Sequence, residues 1–402
     1  MSPESEPNEP GAEAGTESDA DGRSSPGEAR LAPLYVKTLR VENFRGISRC
    51  ALQLERGLTI LVGRNNSGKS RILRALAIAL GATPAERDDL TLSSSQPAVI
   101  DVILAPLVPD SEEEIFDTAV TRRLDTVQPI ADDPPRERYA WRTTIRTSSE
   151  GAGVRIRHDI LLFDQAAQEW VLPNNPTSAP FVNRSIVEAH LINTRRDLVD
   201  ELARRGSPIR RILDDLEINA SSRKILEKSL KDLSEEIVSS SASLVALKSS
   251  LDDLTLVVEA IGEPSLHPLP LRLEELARSV SVDLDTGHGS MPARFHGSGA
   301  RSVASLQVQS VMYERRMGRD GPALRPHPVT LVEEPEAHLH PQAQFELSPL
   351  LSGIRGQVVV STHSSHLVSA VEPECLRLLR PGGAAAEIID LHPSDVSIHG
   401  AG

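Results

Sequence analysis

The stretch LTILVGRNNSGKSRILRALAIALG, residues 58–81, decides how this chain folds. Its opening LTILV is a short apolar run of the kind that forms a buried strand. Its closing SRILRALAIALG carries apolar residues at 72, 73, 76, 77 and 80, a helical spacing, with Gly81 as the stop signal. Between them, GRNNSGKS satisfies the pattern G-x-x-x-x-G-K-[ST] without deviation. The glycines let the backbone curl so that several N–H groups point into one cavity, and the following helix adds its positive N-terminal end. Gly63, Asn65, Asn66, Ser67, Gly68, Lys69 and Ser70 are therefore the candidate phosphate-binding residues. Lys69 has the reach for β- and γ-phosphates, and the Ser70 hydroxyl for a Mg²⁺ ligand. A strand, loop and helix in this order predict an α/β protein.

A phosphate loop that cleaves a nucleotide needs acids near the metal, at the end of a second buried strand. The stretch VTLVEEPEAHLHP, residues 329–341, offers them, and it admits two readings. Glu336, His338 and His340 resemble a metal-hydrolase cluster, but no further Cys or His completes a ligand shell. The acids therefore belong with the phosphate loop. Glu333 holds Mg²⁺ through water, and Glu334 polarises the attacking water as general base. AHLHP is then a turn into a helix near Pro341, a residue favoured in the first helical turn. QVVVSTHSSHLVS, residues 357–369, reads as another buried strand, ending at His363, which is placed to hydrogen-bond a γ-phosphate. HGSGARSVASLQVQSVMYERRM, residues 296–317, opens a second helix on a glycine-rich turn, a second anion-binding terminus.

The rest of the chain bounds these sites. The net charge is −14, and residues 1–30, with eight acids and two arginines, hold −6 of it. Such a chain is no generic polyanion binder, and 3% aromatic content argues against a base-stacking platform for single strands. The two cysteines, Cys50 and Cys375, make neither a disulfide framework nor a zinc site, which fits a reducing cytosol. No signal peptide is visible, and no apolar run nears the ~20 residues that span a bilayer. A cytoplasmic location without membrane contact is the expectation.

Residues 1–32 read as a disordered acidic tail. Between Val99 and Val171, AVIDVIL, YAWRTTIRT and VRIRHDILLFD suggest an antiparallel β portion, and PIRRILDDLEI, residues 208–218, a helix. Leu226, Leu230, Leu233, Ile237, Leu244, Leu247, Leu251 and Leu254 then follow alternating steps of four and three, interrupted near Ser240. That is the seam of a coiled coil or of a helical hairpin turning at SSSAS. The expected division is 33–215 for the first half of an α/β domain, 216–262 for a helical insertion serving dimerisation, 263–392 for the second half, and 393–402 for a tail.

In this order, VENFRGI, GRNNSGKS, LINTRRDLVDELARRGSPIRRIL, HGSGARS, LVEEPEAHLHP and VVVSTHSSHL resemble the ATP-binding-cassette (ABC) ATPases of the RecF and structural-maintenance-of-chromosomes (SMC) type, and most of all the OLD (overcoming lysogenization defect) family. The resemblance runs from about Leu34 to Leu379. It implies a P-loop NTPase of ABC/RecF type that uses ATP and Mg²⁺. It also implies that Ser298 and Gly299 of one copy close over ATP held by another, that Arg45 lies near the phosphates, and that a glutamine loop follows the first helix, for which Gln96 is the candidate. Glu333 stands where many cassette ATPases have Asp. OLD proteins continue into a Toprim nuclease domain; here PGGAAAEIIDLHPSDVSIHGAG, residues 381–402, shows no acid cluster, so nuclease activity is not expected in this chain. The implied role is an ATP-dependent dimer or higher oligomer in DNA repair or anti-phage defence, with a separate nuclease partner and direct DNA contact open. The alternative is a nucleotide-gated scaffold with negligible turnover.

Overall fold

Two six-stranded sheets face each other across one helix in the computed structural model, which describes residues 30–91, 94–108, 111–148, 153–193, 218–249, 266–276, 283–285, 290–292, 324–337, 339–381 and 386–390. The helix, α1 (Lys69–Ala79), follows directly from the phosphate loop. Its Ile72, Leu73, Ala75, Leu76, Ala77, Ile78 and Ala79 are all buried, so it is apolar around most of its circumference rather than along one stripe. Alanines at 75, 77 and 79 keep it thin enough to lie between two sheets.

The first sheet is antiparallel. β1 (Leu34–Phe44) pairs with β2 (Ile47–Gln53) on one side and β4 (Ala98–Pro106) on the other; β6 (Pro135–Thr147) pairs with β4, and β5 (Gln128–Asp132) and β7 (Val154–Ile160) both pair with β6. This is the antiparallel portion expected from the alternating runs after Val99. Its inward residues Val36, Leu39, Val41, Ile100, Val102 and Trp141 join one core with α1.

The second sheet carries the chemistry. Its order is β8 (Val187–Asn193), β9 (His327–Glu333), β10 (Gln357–Thr362), β3 (Leu58–Gly63), β11 (Leu376–Pro381) and β12 (Ala386–Asp390). All neighbours are parallel except the last pair. Both faces are covered, and the strands read as continuous apolar runs for that reason. Leu61, Leu331 and Val359 face α1, whereas Ile60, Val332, Val358 and Val360 meet Leu347, Leu351 and Leu367 of the short helices α5 (Leu347–Ser352) and α6 (Ser365–Ser369). Each such leucine or isoleucine stabilises the fold by roughly 1.5–3 kcal/mol.

Buried polar ties hold the two sheets in register. The fully buried Gln357 accepts from Val36 N (3.0 Å) and donates to Val36 O and Glu55 O (both 2.8 Å). Arg377 donates from Nε to Gln53 O (2.8 Å) and pairs with Glu55. His327 lies in the same interior, with Nδ1 3.3 Å from Ala32 O, and burial pushes its pKa down to about 4. It is therefore a neutral core residue at neutral pH, not a switch.

The heptad region falls on α3 (Ala220–Ser240), capped by the Asn219 side chain, which accepts from Ser222 N at 2.7 Å. One extended residue, Ser241 (φ −112°, ψ 112°), interrupts the helix, and helical structure resumes over 242–249. Leu226, Leu233 and Leu247 of the expected seam are 43%, 47% and 48% exposed. No described helix is long and apolar enough to cross a membrane. The disordered tail expected over residues 1–32 does not reach residues 30–32: Arg30–Leu31 pairs in parallel with Leu324–Arg325, and Ala32 is fully buried. Residues 1–29, residues 208–217 of the helix expected at 208–218, and the heptad positions Leu251 and Leu254 lie outside the described residues.

Candidate functional site

Because β3, β9 and β10 are parallel, their C-terminal ends emerge at one edge of the sheet, the edge where open α/β folds bind ligands. A cleft of about 540 Å³ opens there. The phosphate loop and the start of α1 form one side of it through residues 65–71, and Glu334 and His363 form the other. Segments nearly 300 residues apart are thereby brought to one cavity.

The loop's shape explains its glycines. A Cβ on Gly63 would sit 2.4 Å from Leu379 O and 2.7 Å from Ser67 Oγ, so no larger residue fits. Gly68, at φ +103°, occupies the left-handed region that strains a side chain, and it caps α1. Asn66 also has positive φ, at 65°. The Ser67 hydroxyl is buried and lacks a partner among the described residues. An unpaired buried hydroxyl in a glycine-shaped loop at the N-terminus of an 11-residue helix suits an anionic ligand, and the loop therefore fits a nucleotide phosphate.

Lys69 is only 4% exposed. Its Nζ donates to Gly63 O (2.8 Å) and Arg64 O (3.2 Å) and lies 3.5 Å from His363 Nδ1. Burial lowers its pKa, and Glu334 and Glu336 work in the opposite direction. His363 Nε2 in turn stands 3.4 Å from Glu334 Oε1. Lysine is a donor only, so this spacing suits a His363 that accepts at Nδ1 and donates from Nε2. Lys69, His363 and Glu334 form a continuous polar row.

Glu334 is where β9 stops being a strand. Its φ of 47° is left-handed, which costs a non-glycine residue roughly 1–2 kcal/mol. Its N–H donates to Ser361 O (2.8 Å), and Ala337 N donates back to Glu334 O (3.0 Å). The strained residue turns its side chain into the cleft just before Pro335. Strain of this kind concentrates at functional positions.

Glu336, by sequence a candidate metal ligand, serves here as a hydrogen-bond acceptor. Its Oε1 accepts from His363 N (2.5 Å) and Ser364 N (3.1 Å), tying the β9 turn to the end of β10. It thus sets the distance between Glu334 and His363. No group of three or more His, Cys, Asp or Glu side chains suited to a metal occurs among the described residues. His340 instead caps the helix α4 (Pro341–Phe345), accepting from Gln342 N at 3.4 Å, with Pro341 in the first turn as expected; His338 lies outside the described residues.

Other expected residues stand elsewhere. Glu333 ends β9 in register with Asn193 and Ser361 and does not line the cleft. Arg45 is also outside the lining: its Nε faces Asp88 O (3.1 Å) and Asp89 (3.3 Å), the carboxylate that Arg74 holds through two contacts. Gln96 precedes β4 as proposed for a glutamine loop, but it too lies outside the lining. Ser298 and Gly299 fall outside the described residues. Arg71, which no motif singled out, lines the cleft.

A glycine-rich loop on the central strand, acids on the next strand but one, a histidine between them, and an antiparallel sheet packed over the loop helix define an ABC-type P-loop ATPase fold. A solved Smc head bound to the C-winged helix domain of ScpA shares it, with a TM-score of 0.51 at 13% identity over 90% of this chain and 99% of that one. Residues 58–369 match the family described as "AAA domain, putative AbiEii toxin, Type IV TA system", and the chain belongs to that family. It is also similar to the OLD nuclease of Thermus scotoductus, with 22% identity over 361 residues, 86% of this chain. The match spans 62% of that relative's length.

Proposed function

We propose that the chain hydrolyses ATP and that nucleotide state controls its association with a second copy. The observation that carries this reading is the row Lys69, His363 and Glu334 facing the phosphate loop across one cleft. Lys69 binds the terminal phosphates. Glu334 accepts a proton from the attacking water, and His363 orients the carboxylate through Nε2. Ser70, which lines the cleft, would be the loop's ligand to Mg²⁺, and Glu333, at the end of β9 outside the lining, would reach the ion only through water; the ion when bound would neutralise phosphate charge.

Association follows from what one copy leaves open. Glu334 and His363 side chains are 43% and 33% exposed, so the catalytic wall faces outward. By the resemblance, Ser298 and Gly299 of a second copy cover it. Hydrolysis removes the clamped γ-phosphate and several charge-assisted contacts together, which gives the switch its energy. The half-exposed leucines of α3 supply a separate, constitutive contact. A role in DNA repair or anti-phage defence alongside a nuclease is supported by the similarity to an OLD nuclease and rests on analogy.

Light scattering tests the switch. Glu334→Gln with Mg²⁺ and ATP is expected to form a species of twice the mass found without nucleotide, or a more compact one if α3 already joins two copies. Identical mass and radius with and without ATP contradict the reading.

A further inference from the structure

We propose that Arg71 binds the part of the nucleotide that survives hydrolysis, the phosphates nearest the nucleoside. The proposal rests on the nucleotide-binding reading above and extends it to a residue outside the loop motif.

Arg71 is the third residue of α1 and lines the cleft. Successive helix residues are about 100° apart, so Arg71 and Lys69 leave the axis roughly 200° from one another. They flank the cleft from opposite sides. The Lys69 side holds His363 and Glu334, where the terminal phosphate must be for attack. The Arg71 side holds Asn66 and the turn at Gly46, neither of which is acid or base. A nucleotide whose γ-phosphate lies on the first side presents its inner phosphates to the second.

The chemistry of the guanidinium points the same way. Arg45 and Arg74 share the carboxylate of Asp89, whereas Arg71 forms no ion pair among the described residues. Its Nη2 donates to Asn66 Oδ1 at 2.6 Å. That neutral acceptor fixes one edge of the group without cancelling its charge, and the remaining N–H donors are free to meet a phosphate in the planar, two-point manner that lysine lacks. Gly46 lies beside the group, its Cβ position 3.5 Å from Arg71 Nη1, an ordinary contact distance; the left-handed φ of +82°, not crowding, is what calls for glycine at this turn.

Calorimetric titration of ADP and of ATP into wild type, Arg71→Ala, Arg71→Lys, Asn66→Ala and the Arg71→Ala/Asn66→Ala double variant tests the assignment. Loss of charge-assisted contacts predicts a fall in affinity of roughly 10- to 100-fold in Arg71→Ala. The fall should be equal for ADP and ATP, should be partly restored in Arg71→Lys, and should persist when Asn66 is already alanine. Unchanged ADP affinity in Arg71→Ala, beside normal wild-type binding, overturns this proposal alone. So does a loss confined to ATP. An effect that vanishes in the Asn66→Ala background makes Arg71 a brace for the loop and overturns it too. Failure of wild type to bind either nucleotide overturns both this assignment and the reading beneath it.

Discussion

Lys69→Ala is expected to abolish measurable ATP binding while leaving the fold intact. The lysine is nearly buried, held by two loop carbonyls within 3.2 Å and next to His363, so its ammonium is a fixed charge at the mouth of the phosphate loop. Burial strips much of its hydration and pulls its pKa down, and a partly desolvated cation gains more from a phosphate than a solvated one does. Two charge-assisted contacts, at about 1.5–3 kcal/mol each, correspond to a loss on the order of 10²- to 10⁴-fold. Calorimetry with ATP and Mg²⁺ measures it, and a thermal melt checks that the variant still folds. Wild-type affinity in a folded Lys69→Ala protein would remove the phosphate loop from the account.

The second large effect is kinetic. Glu334→Gln should release phosphate on the order of 10²- to 10⁴-fold more slowly than wild type, the usual worth of a positioned base, while binding ATP with similar affinity. Glutamine preserves the geometry. Its backbone N–H still donates to Ser361 O, its shape tolerates the turn as glutamate does, and its amide oxygen still accepts from His363 Nε2. What it loses is the negative charge and the ability to take a proton. Stopped-flow detection of phosphate separates the cases. Equal, slow release from both proteins would favour a nucleotide-gated scaffold over an ATPase.

Much of this site is legible from local sequence. GRNNSGKS announces itself because a phosphate loop needs glycine where the backbone is crowded, as at Gly63, or left-handed, as at Gly68. LTILV, VTLV and QVVVS are readable as buried strands because a doubly covered parallel sheet erases alternation. Three things are not local. The placement of β10 between β9 and β3 depends on how the strands assemble, and sequence order does not contain it. Glu336 acts on amides 27 and 28 residues away, a contact no pattern around it encodes. Arg45, which the resemblance places near phosphate, faces Asp89, a carboxylate 44 positions along the chain. Arg71 did carry a signal: a cation two residues past the loop lysine, still within the first turn of the helix, cannot be far from the ligand.

The heptad reading divides in the same way. Leu226, Leu230, Leu233 and Ile237 do fall on α3, and the exposure of Leu226 and Leu233 there follows from a seam whose apolar stripe is narrower than a globular core demands. Sequence alone distinguishes neither a hairpin nor a dimer as the partner of that stripe.

Hydrogen–deuterium exchange with and without ATP and Mg²⁺ tests most directly that three distant segments enclose one nucleotide. Slowed exchange is predicted together in residues 63–71, in 334–337 and in 361–364. Protection confined to the loop, or absent from all three, would contradict a shared site.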